Sequence, residues 1–509
     1  MAPHSLFSPP IARHTHRITI PRAVGVPETD PETDPVLSEA ALKRIADMVF
    51  TVNEGNVTGL QVEHSARVVT RVANNRVLTT DNGHQIKITF GYREAYGGGE
   101  LRFATNMVDD AMLRVAFRAL DVLYRQRSGG LPSTFVITVD TPQQPILPVQ
   151  LWHDTTAAAM TNAATTAIPK LLTPLIQSGL KGSAFLGFSA RSVYAGENHG
   201  HRAYCRETDA ECSVSARFAD GSASGWFGQA NREWTKMDPS LVAAQAIDMA
   251  NRSKGPSAVE PGRHTAVLSP FAVAQLMAQM SAQFDAYTTI VYKGTVFAVD
   301  NDPNRDTKIG LRVIDPRLRL KSDPMDPEGG YTPFGDWPSD GWALPVQRMT
   351  YIDQGVLQDL AFGAHFNLEN GKPFNQNPWS LRLEAMPGVP LSTVDEMIAR
   401  CKLGIYVNRF SHVQTLSGKT ALMTGVTRDG CFLIKDGKIN RPVKNFRFLD
   451  SPMFALNRLL AVGKSERVPL GFIPSDDEQG YFTRWPRRPI IVPPLMVDDF
   501  NFSALSDAV

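Results

Sequence analysis

The sequence is poor in cysteine, has almost no net charge and lacks long apolar runs. Its 509 residues hold only four cysteines, which excludes the disulfide-dense class of secreted domains. With 52 basic and 51 acidic residues the formal charge is +1, so no overall field favours nucleic acid or a membrane surface. No uninterrupted apolar run could span a bilayer, and residues 1–27 lack the apolar core of a secretory signal. We therefore expect a soluble, cytoplasmic protein.

Proline-rich segments lie near both ends of the sequence. Two copies of Pro-Glu-Thr-Asp fill residues 27–34. Such a segment cannot bury enough apolar surface to fold, so residues 1–36 are predicted to be a flexible arm. At the other end, residues 484–509 contain too many prolines for a central strand. We predict that they form a Pro-rich tail running over a surface or a partner.

The length of the chain predicts two large domains. A polar segment at 256–262 contains two prolines and a glycine, and marks the boundary between domains at 37–260 and 261–483. The predicted fold class is α+β: an N-terminal mixed domain with long helices packed on antiparallel sheets, then a mostly antiparallel β domain. Apolar periodicity predicts helices at 37–50, 107–127, 155–179, 241–252, 271–284 and 393–401. Predicted strands of the C-terminal half include 294–299 and 310–314.

Few residues have the spacing of a catalytic or metal centre. His199 and His201 could hold a metal from one strand, but no cluster of further ligands accompanies them. Cys205 and Cys212 are too far apart for a zinc knuckle and are predicted to be buried thiols. Cys431 has basic residues nearby that permit a reactive thiol, although a structural cysteine is the commoner outcome. With no Gly-x-Ser-x-Gly elbow and no His-Glu-x-x-His, the residues alone predict no assembled active site.

An ordered set of short segments resembles the TldD/PmbA family over nearly the whole chain. The segment Pro261-Gly-Arg-His-Thr-Ala-Val-Leu268 is similar to the family's entry into its C-terminal domain. Tyr351-Ile-Asp-Gln-Gly-Val-Leu357 resembles its Ile-x-x-Gly-Val-Leu strand, and Thr424-Gly425 and the segment 434–443 follow in the same order. In the N-terminal half, Val72-Ala-Asn-Asn-Arg-Val77 resembles a strand and turn of the family.

The resemblance bears on catalysis because the family has two kinds of subunit. TldD-type chains carry His-Glu-x-x-x-His on the helix after the Val-Leu strand, and a later cysteine completes the zinc site. The zinc ion activates a water molecule, and the glutamate acts as the general base. Alignment of that strand without gaps places Ala278 and Gln283 at the two histidines and Gln279 at the glutamate. No cysteine follows residue 461. The chain therefore resembles the other kind of subunit, TldE or PmbA, with no catalytic or metal-binding residue of its own.

The resemblance implies a non-catalytic subunit that pairs with a TldD-like chain, whose zinc would do the chemistry. The pair would enclose a chamber and cleave unfolded or modified peptides, as in leader-peptide or natural-product maturation. An extended substrate could bind by adding a strand to an exposed sheet edge. Two alternatives remain: an independent hydrolase with non-zinc chemistry at Cys431 or at His199 and His201, and a homodimer that binds peptide without cutting it.

Overall fold

A computed structural model describes most of the chain. The described residues are 34–52, 57–93, 100–127, 145–197, 200–300, 302–335, 343–363, 378, 380–469 and 489–506. The predicted arm up to residue 33 and the candidate ligand His199 lie outside these ranges. None of the helices in the described ranges is long and apolar enough to cross a bilayer.

One antiparallel sheet forms the centre of the N-terminal domain. Its strands are β1 (Val57–Ala73), β2 (Arg76–Arg93), β3 (Glu100–Thr105), β4 (Lys181–Glu197), β5 (Arg202–Arg217) and β6 (Ser224–Asn231). They lie in the order β3-β2-β1-β4-β5-β6. Asn74 and Asn75 connect β1 to β2 with φ of 49° and 62°, the left-handed conformation that a type I′ hairpin needs and that asparagine tolerates.

Two pairs of helices cover one face of this sheet. They are α1 (Glu39–Val52), α2 (Asp110–Arg127), α3 (Asp154–Gln177) and α4 (Pro239–Arg252). Leu60 and Val62 of β1 belong to the core that α1 and α2 share, whereas Ala66 and Val68 belong to the core beneath α3 and α4. Alternate residues of a strand point to the same face, so both helix pairs pack on one side. The opposite face is left to pack against the C-terminal domain.

Packed residues already lie before the predicted arm boundary at residue 36. Val36 and Leu37 are both buried, and the Leu37 N–H donates to Nδ1 of His64 on β1 at 2.9 Å. Asp34 lies 3.4 Å from a guanidinium nitrogen of Arg206 on β5. The segment before α1 is therefore packed across the sheet, because its two apolar side chains fill the space beside His64.

Two further sheets build the C-terminal domain. Its strands are β7 (Gly262–Leu268), β8 (Leu318–Ser322), β9 (Met349–Asp353), β10 (Val356–Leu357), β11 (Leu381–Ala385), β12 (Leu403–Ser417), β13 (Leu422–Lys435), β14 (Lys438–Pro442), β15 (Phe446–Asp450), β16 (Leu459–Val462), β17 (Glu466–Val468), β18 (Ile490–Val492) and β19 (Leu495–Leu505). Its helices are α5 (Pro270–Ala278), α6 (Ala286–Ile290), α7 (Val394–Arg400) and α8 (Pro452–Asn457). The six-stranded sheet has the order β10-β9-β8-β11-β18-β17, and the seven-stranded sheet has β12-β7-β19-β15-β13-β14 with β16 beside β19.

Most of these pairings are antiparallel, and the predicted α+β class is confirmed. The parallel pairs are β7 with β12 and β11 with β18. Because β12 also pairs with β13, the strands β12, β7, β19, β15 and β13 form a closed circuit. The largest hydrophobic core lies in this domain and includes α5 together with inward-facing residues of both sheets.

The prediction that residues 484–509 form a surface tail is wrong for the described residues of that segment. Strand β18 lies between β11 and β17, and β19 lies between β7 and β15. Ile491, Val492 and Val497 are fully buried. The prolines at 489, 493 and 494 lie before and between these strands, so they remove no hydrogen bond from either strand. The number of prolines alone therefore gave a wrong prediction.

The predicted strands at 294–299 and 310–314 are also absent from the described structure. Each segment makes one isolated bridge, Ala298 with Thr307 and Arg312 with Val356. In the first segment, residues 295–297 are buried consecutively in irregular backbone rather than alternately on a sheet face. In these two segments the apolar composition correctly indicated buried residues, but the predicted β-strands are not formed.

Candidate functional site

The segment that corresponds to the zinc motif begins where β7 passes into α5. Strand β7 lies between β12 and β19, and Leu268 at its end is buried. Ser269 caps the helix, since its Oγ accepts from the N–H groups of Phe271 and Ala272 at 3.1 and 3.4 Å. The proline at 270 suits the first helical position, where no N–H is needed. The local sequence therefore fixes the start of α5 firmly against the sheet.

The helix ends within the aligned motif. Residue Ala278 is the last of α5, and Gln279 is its C-cap, with its N–H donating to the carbonyl of Leu276 at 3.3 Å. A short 3₁₀ turn at Ser281–Phe284 follows and carries Gln283. The three aligned positions thus lie at a helix end and in the next turn, not on one continuous helix.

The side chains at these positions do not fit a zinc ion. Ala278 offers only a methyl group, which packs against the main hydrophobic core. Gln279 is half-buried, and its carboxamide takes up no proton near neutral pH. Gln283 is 5% exposed, and its Oε1 accepts from the N–H of Val296 at 3.1 Å. At the position of the second histidine, the side-chain oxygen therefore holds the following loop in place.

The histidine candidate on the N-terminal sheet is only partly described. His201 stands just before β5 and is buried, with Nε2 at 3.5 Å from Oε1 of Glu197. Within the described ranges, no three His, Cys, Asp or Glu side chains are grouped closely enough to hold a metal ion. Among the described residues, His201 thus has one carboxylate neighbour and not the ligand set of a zinc site.

All four cysteines are free and buried. Burial raises the pKa of the Cys431 thiol to about 12, with a smaller opposing effect from the Thr427 hydroxyl. Burial likewise raises the pKa of Cys212 to about 12 and raises that of Cys401. A nucleophilic cysteine needs an exposed, electropositive setting that favours the thiolate. The surroundings of Cys431 favour the thiol, which is a structural rather than a catalytic environment.

Charged side chains are concentrated where the polar face of the N-terminal sheet meets the C-terminal domain. Glu207 of β5 accepts from Arg191 of β4 at 3.0 Å and from Arg232 at 3.2 Å. Arg232 also donates to the carbonyl of Gly330 at 2.5 Å, and Arg191 lies 3.4 Å from the Thr332 hydroxyl. These contacts connect the sheet to the loop between β8 and β9.

A second ion pair in the same region joins β5 to β17. The Nη2 of Arg467 lies 2.7 Å from both carboxylate oxygens of Asp209. Both side chains are 7% exposed. We call Arg191, Glu207, Asp209, Arg232 and Arg467 the interdomain ionic cluster. Because a buried charge is costly without its partner, this cluster favours one fixed arrangement of the two domains.

A third contact between the domains surrounds Asp429 of β13. Its carboxylate accepts from the Ser224 hydroxyl of β6 at 2.6 Å and from Nε of Arg409 at 2.7 Å. The Arg409 guanidinium lies over the Trp226 ring at 4.7 Å from its centroid, and Asn408 donates to the Trp226 carbonyl at 3.0 Å. The edge strand β6 is thus fastened to the C-terminal domain by hydrogen bonds and ring packing.

The sequence analysis missed all three interdomain contacts. The partners Asp209 and Arg467 are separated by 258 positions, and no local pattern joins them. A signal was nevertheless present, since Glu207, Asp209 and Glu211 alternate along β5 and place three carboxylates on one face. An acidic strand face that is buried requires basic partners from elsewhere in the chain.

Comparisons with known proteins agree with this architecture. Residues 261–504 match the family model of the PmbA/TldA metallopeptidase C-terminal domain. No curated protein matches the chain. A solved structure described as a candidate modulator of a DNA gyrase, from Thermotoga maritima, has a TM-score of 0.72 and 13% identity, covering 90% of this chain and 99% of that one. TldE from Thermococcus kodakarensis has a TM-score of 0.71 and 12% identity, covering 91% and 99%.

A third solved structure extends the likeness to another organism. A candidate modulator of DNA gyrase from Bacteroides thetaiotaomicron has a TM-score of 0.72 and 15% identity, covering 92% of this chain and all of that one. Identities this low show a shared fold, and the fold is shared along almost the whole length of each chain. The C-terminal domain at residues 261–504 therefore belongs to the TldD/PmbA family, and the chain as a whole shares the fold of these solved structures.

Proposed function

We propose that the chain is the TldE/PmbA-like, non-catalytic subunit of a heterodimeric zinc metallopeptidase. Its partner would be a TldD-like chain that carries the zinc and the general base. The substrates would be unfolded or modified peptides, and the reaction would serve leader-peptide or natural-product maturation. In this assembly the chain forms half of an enclosed chamber and stabilises the zinc-bearing partner.

The observation that carries the proposal is the chemistry of the three aligned positions. Ala278 has no donor atom, and Gln279 cannot act as a general base. Gln283 uses its carboxamide oxygen to accept the Val296 N–H inside the core. A zinc ion would have to displace that hydrogen bond and would still lack nitrogen or sulfur ligands of the usual set. We therefore derive no zinc chemistry from this chain.

The contacts between the domains support a role as a rigid wall. The Asp209–Arg467 pair and the contacts of Asp429 both join the N-terminal sheet to the C-terminal domain. A chamber excludes folded proteins only if its walls keep their positions. Two separated, buried polar contacts along one interface restrain the hinge motion that would open such a chamber.

Metal analysis and peptide hydrolysis test the proposal directly. The chain would be purified alone and after co-expression with a TldD-type chain that carries His-Glu-x-x-x-His. We expect a single chain that is inert, and a pair that holds about one zinc per heterodimer and loses activity with a chelator. The matched control is a partner whose motif glutamate is changed to glutamine, which keeps the assembly and abolishes cleavage.

Two results would contradict the proposal. Cleavage by the purified single chain would point to an independent hydrolase, although the buried Cys431 thiol does not favour that alternative. A stable homodimer that binds peptide, refuses the TldD-type partner and cuts nothing would point to a binding protein instead. Both outcomes are visible in size-exclusion profiles combined with the hydrolysis assay.

A further inference from the structure

Residues 34–37 cross the helix-covered face of the N-terminal sheet immediately before α1, and we call them the strap. They belong to no helix or strand, yet Pro35, Val36 and Leu37 are all buried. Val36 packs in the core beneath α3 and α4, whereas Leu37 packs in the core that α1 and α2 share. The strap is therefore common to both hydrophobic cores of this face.

The central contact of the strap is the side chain of His64. On β1 this residue lies between Val62, which belongs to one core, and Ala66, which belongs to the other. The His64 side chain is buried, and its Nδ1 accepts the N–H of Leu37 at 2.9 Å. A ring nitrogen that accepts a hydrogen bond carries no proton, so the imidazole is neutral with its proton on Nε2. This hydrogen bond therefore exists in only one protonation state of His64.

The other contacts of the strap lie at its two ends. At the start, Asp34 accepts from the Val36 N–H at 3.3 Å and lies 3.4 Å from a guanidinium nitrogen of Arg206 on β5. Both side chains of this ion pair are exposed to solvent, so it stabilises the strap little. At the other end, the Ser38 carbonyl accepts from the Leu42 N–H at 3.0 Å and begins α1. Because the helix begins after the strap, the strap can leave the sheet without unwinding α1.

The neighbours of His64 on the sheet do not stabilise a positive charge. Ile86 of β2 and Ser192 of β4 lie opposite it and are uncharged. The ring of His84, also on β2, has its centroid 5.7 Å from that of His64. A proton on one of two adjacent imidazoles opposes a proton on the other. Burial, followed by the effect of His84, accordingly lowers the pKa of His64.

The remaining titratable groups around the strap come from β5, from α1 and from the strap itself. Asp34 is already paired with Arg206. Burial raises the pKa of the Tyr204 phenol to about 12, so it stays protonated and neutral. Glu39, in the first turn of α1, is exposed to solvent. A proton on His64 thus gains no buried carboxylate partner from these elements while the strap is closed.

We infer that residues 34–37 form an acid-released strap, which covers the sheet while the His64 imidazole is neutral and leaves it, with α1 still in place, when that imidazole is protonated. The imidazolium cannot accept the Leu37 N–H, so the buried amide loses its partner at the same moment that a charge appears beside it. Opening gives both groups access to water. This inference depends on the contacts of this chain alone and not on the proposed function.

The direction of the pH dependence follows from the two states of His64. With the strap open, the imidazole is exposed to water and takes up a proton near pH 6.5. With the strap closed, it stays neutral down to about pH 4. The closed form is therefore favoured at neutral pH, and each pH unit below 6.5 favours the open form by about a further tenfold. Opening exposes Val36 and Leu37 and separates the strap from both cores.

Amide hydrogen exchange of the full chain tests the strap directly. Exchange at Leu37 would be resolved by mass spectrometry with fragmentation and expressed as a protection factor, which removes the intrinsic effect of pH on exchange. Between pH 6.5 and pH 4.5 we expect the protection of Leu37 to fall about a hundredfold. This range lies above the usual pKa of an aspartate, about 3.9, so the pair of Asp34 with Arg206 is kept.

The amide of Leu42 in α1 distinguishes local opening from unfolding of the domain. Leu42 is fully buried and its N–H is bonded to Ser38 within the helix. Urea at a concentration below the unfolding transition should speed exchange at Leu42, because that amide opens only when much surface is exposed. Exchange at Leu37 should not respond to the same urea, since release of four residues exposes little surface.

Three variants identify the titrating group. His64→Gln keeps a side-chain acceptor that does not titrate, so the protection of Leu37 should be nearly the same at both pH values. His64→Leu removes the acceptor and keeps an apolar side chain, so protection should be low at both. His84→Gln is the matched control: the acceptor His64 still titrates, and the fall in protection should remain about tenfold per pH unit.

Three outcomes would overturn the inference. The first is a Leu37 protection factor that stays constant between pH 6.5 and pH 4.5. The second is a His64→Gln variant that keeps the pH dependence of the parent chain. The third is exchange at Leu37 that matches Leu42 in both rate and response to urea, since the strap would then leave only when the domain unfolds. None of these measurements involves a partner chain or cleavage, so they are independent of the test of the proposed function.

Discussion

Removal of Asp209 should destabilise the contact between the domains strongly. The Arg467 Nη2 lies 2.7 Å from both oxygens of this carboxylate, and each side chain is 7% exposed. Burial already lowers the pKa of Arg467, an effect that the Asp209 charge opposes. Asp209→Ala leaves the guanidinium buried without its counter-charge, and breaking a buried pair from one side costs about 3–5 kcal/mol. That is a large part of the stability of a typical domain, about 5–15 kcal/mol.

Urea denaturation followed by tryptophan fluorescence measures this cost. The double variant Asp209→Ala with Arg467→Met should be more stable than Asp209→Ala alone, because no unpaired charge remains buried. Asp47→Ala is the matched control, since Asp47 and its partner Lys43 are 49% and 55% exposed and such an exposed pair contributes about 1 kcal/mol or less. Equal losses for Asp209→Ala and Asp47→Ala would refute the reasoning, as would a double variant less stable than the single.

Three more predictions concern single buried groups. Gln283→Leu should cost about 1–3 kcal/mol in urea denaturation and speed amide exchange at Val296, whose N–H loses its acceptor in the core; unchanged exchange would contradict this role. Burial, with a smaller contribution from the nearby His84, lowers the pKa of His64 to about 4. In the unfolded chain this imidazole takes up a proton near pH 6.5, whereas in the folded protein it stays neutral down to about pH 4. Stability should then fall by about 3 kcal/mol as the pH drops from 6.5 to 4, and His64→Gln should reduce this slope. Cys431 should resist iodoacetamide at pH 8 in the folded protein and react on unfolding, and rapid labelling of the folded state would show that its thiol is accessible.

Local patterns in the sequence predicted the surroundings of the candidate site well. Apolar periodicity located α4, and the Pro-Gly entry followed by Val267 and Leu268 located β7 and the helix after it. These elements are governed by burial along a short segment and by capping, which the sequence displays directly. The predicted helix at 271–284 is in fact α5 followed by a 3₁₀ turn, because Gln279 ends the helix within the aligned motif.

Features that depend on distant partners could not be predicted from local patterns. The interdomain ionic cluster joins residues from β4, β5 and β17, and no segment contains more than part of it. Strand β2 extends well past the end of its neighbour β3, and only the strand pairing reveals this. Strand β19 was mistaken for a tail because nearby prolines were counted without knowing that they stand between strands. In each case the missing information was a neighbour in space.

The position of β19 determines when the C-terminal domain can fold during synthesis. Strand β7 is translated first, but its antiparallel neighbour β19 starts at Leu495, more than two hundred residues later. The closed circuit of strands therefore cannot form until nearly the whole domain has left the ribosome. Until then the apolar face of β7 and the N-terminal partner Asp209 lack their final contacts, so a ribosome-bound nascent chain exposes surfaces that a chaperone would have to cover.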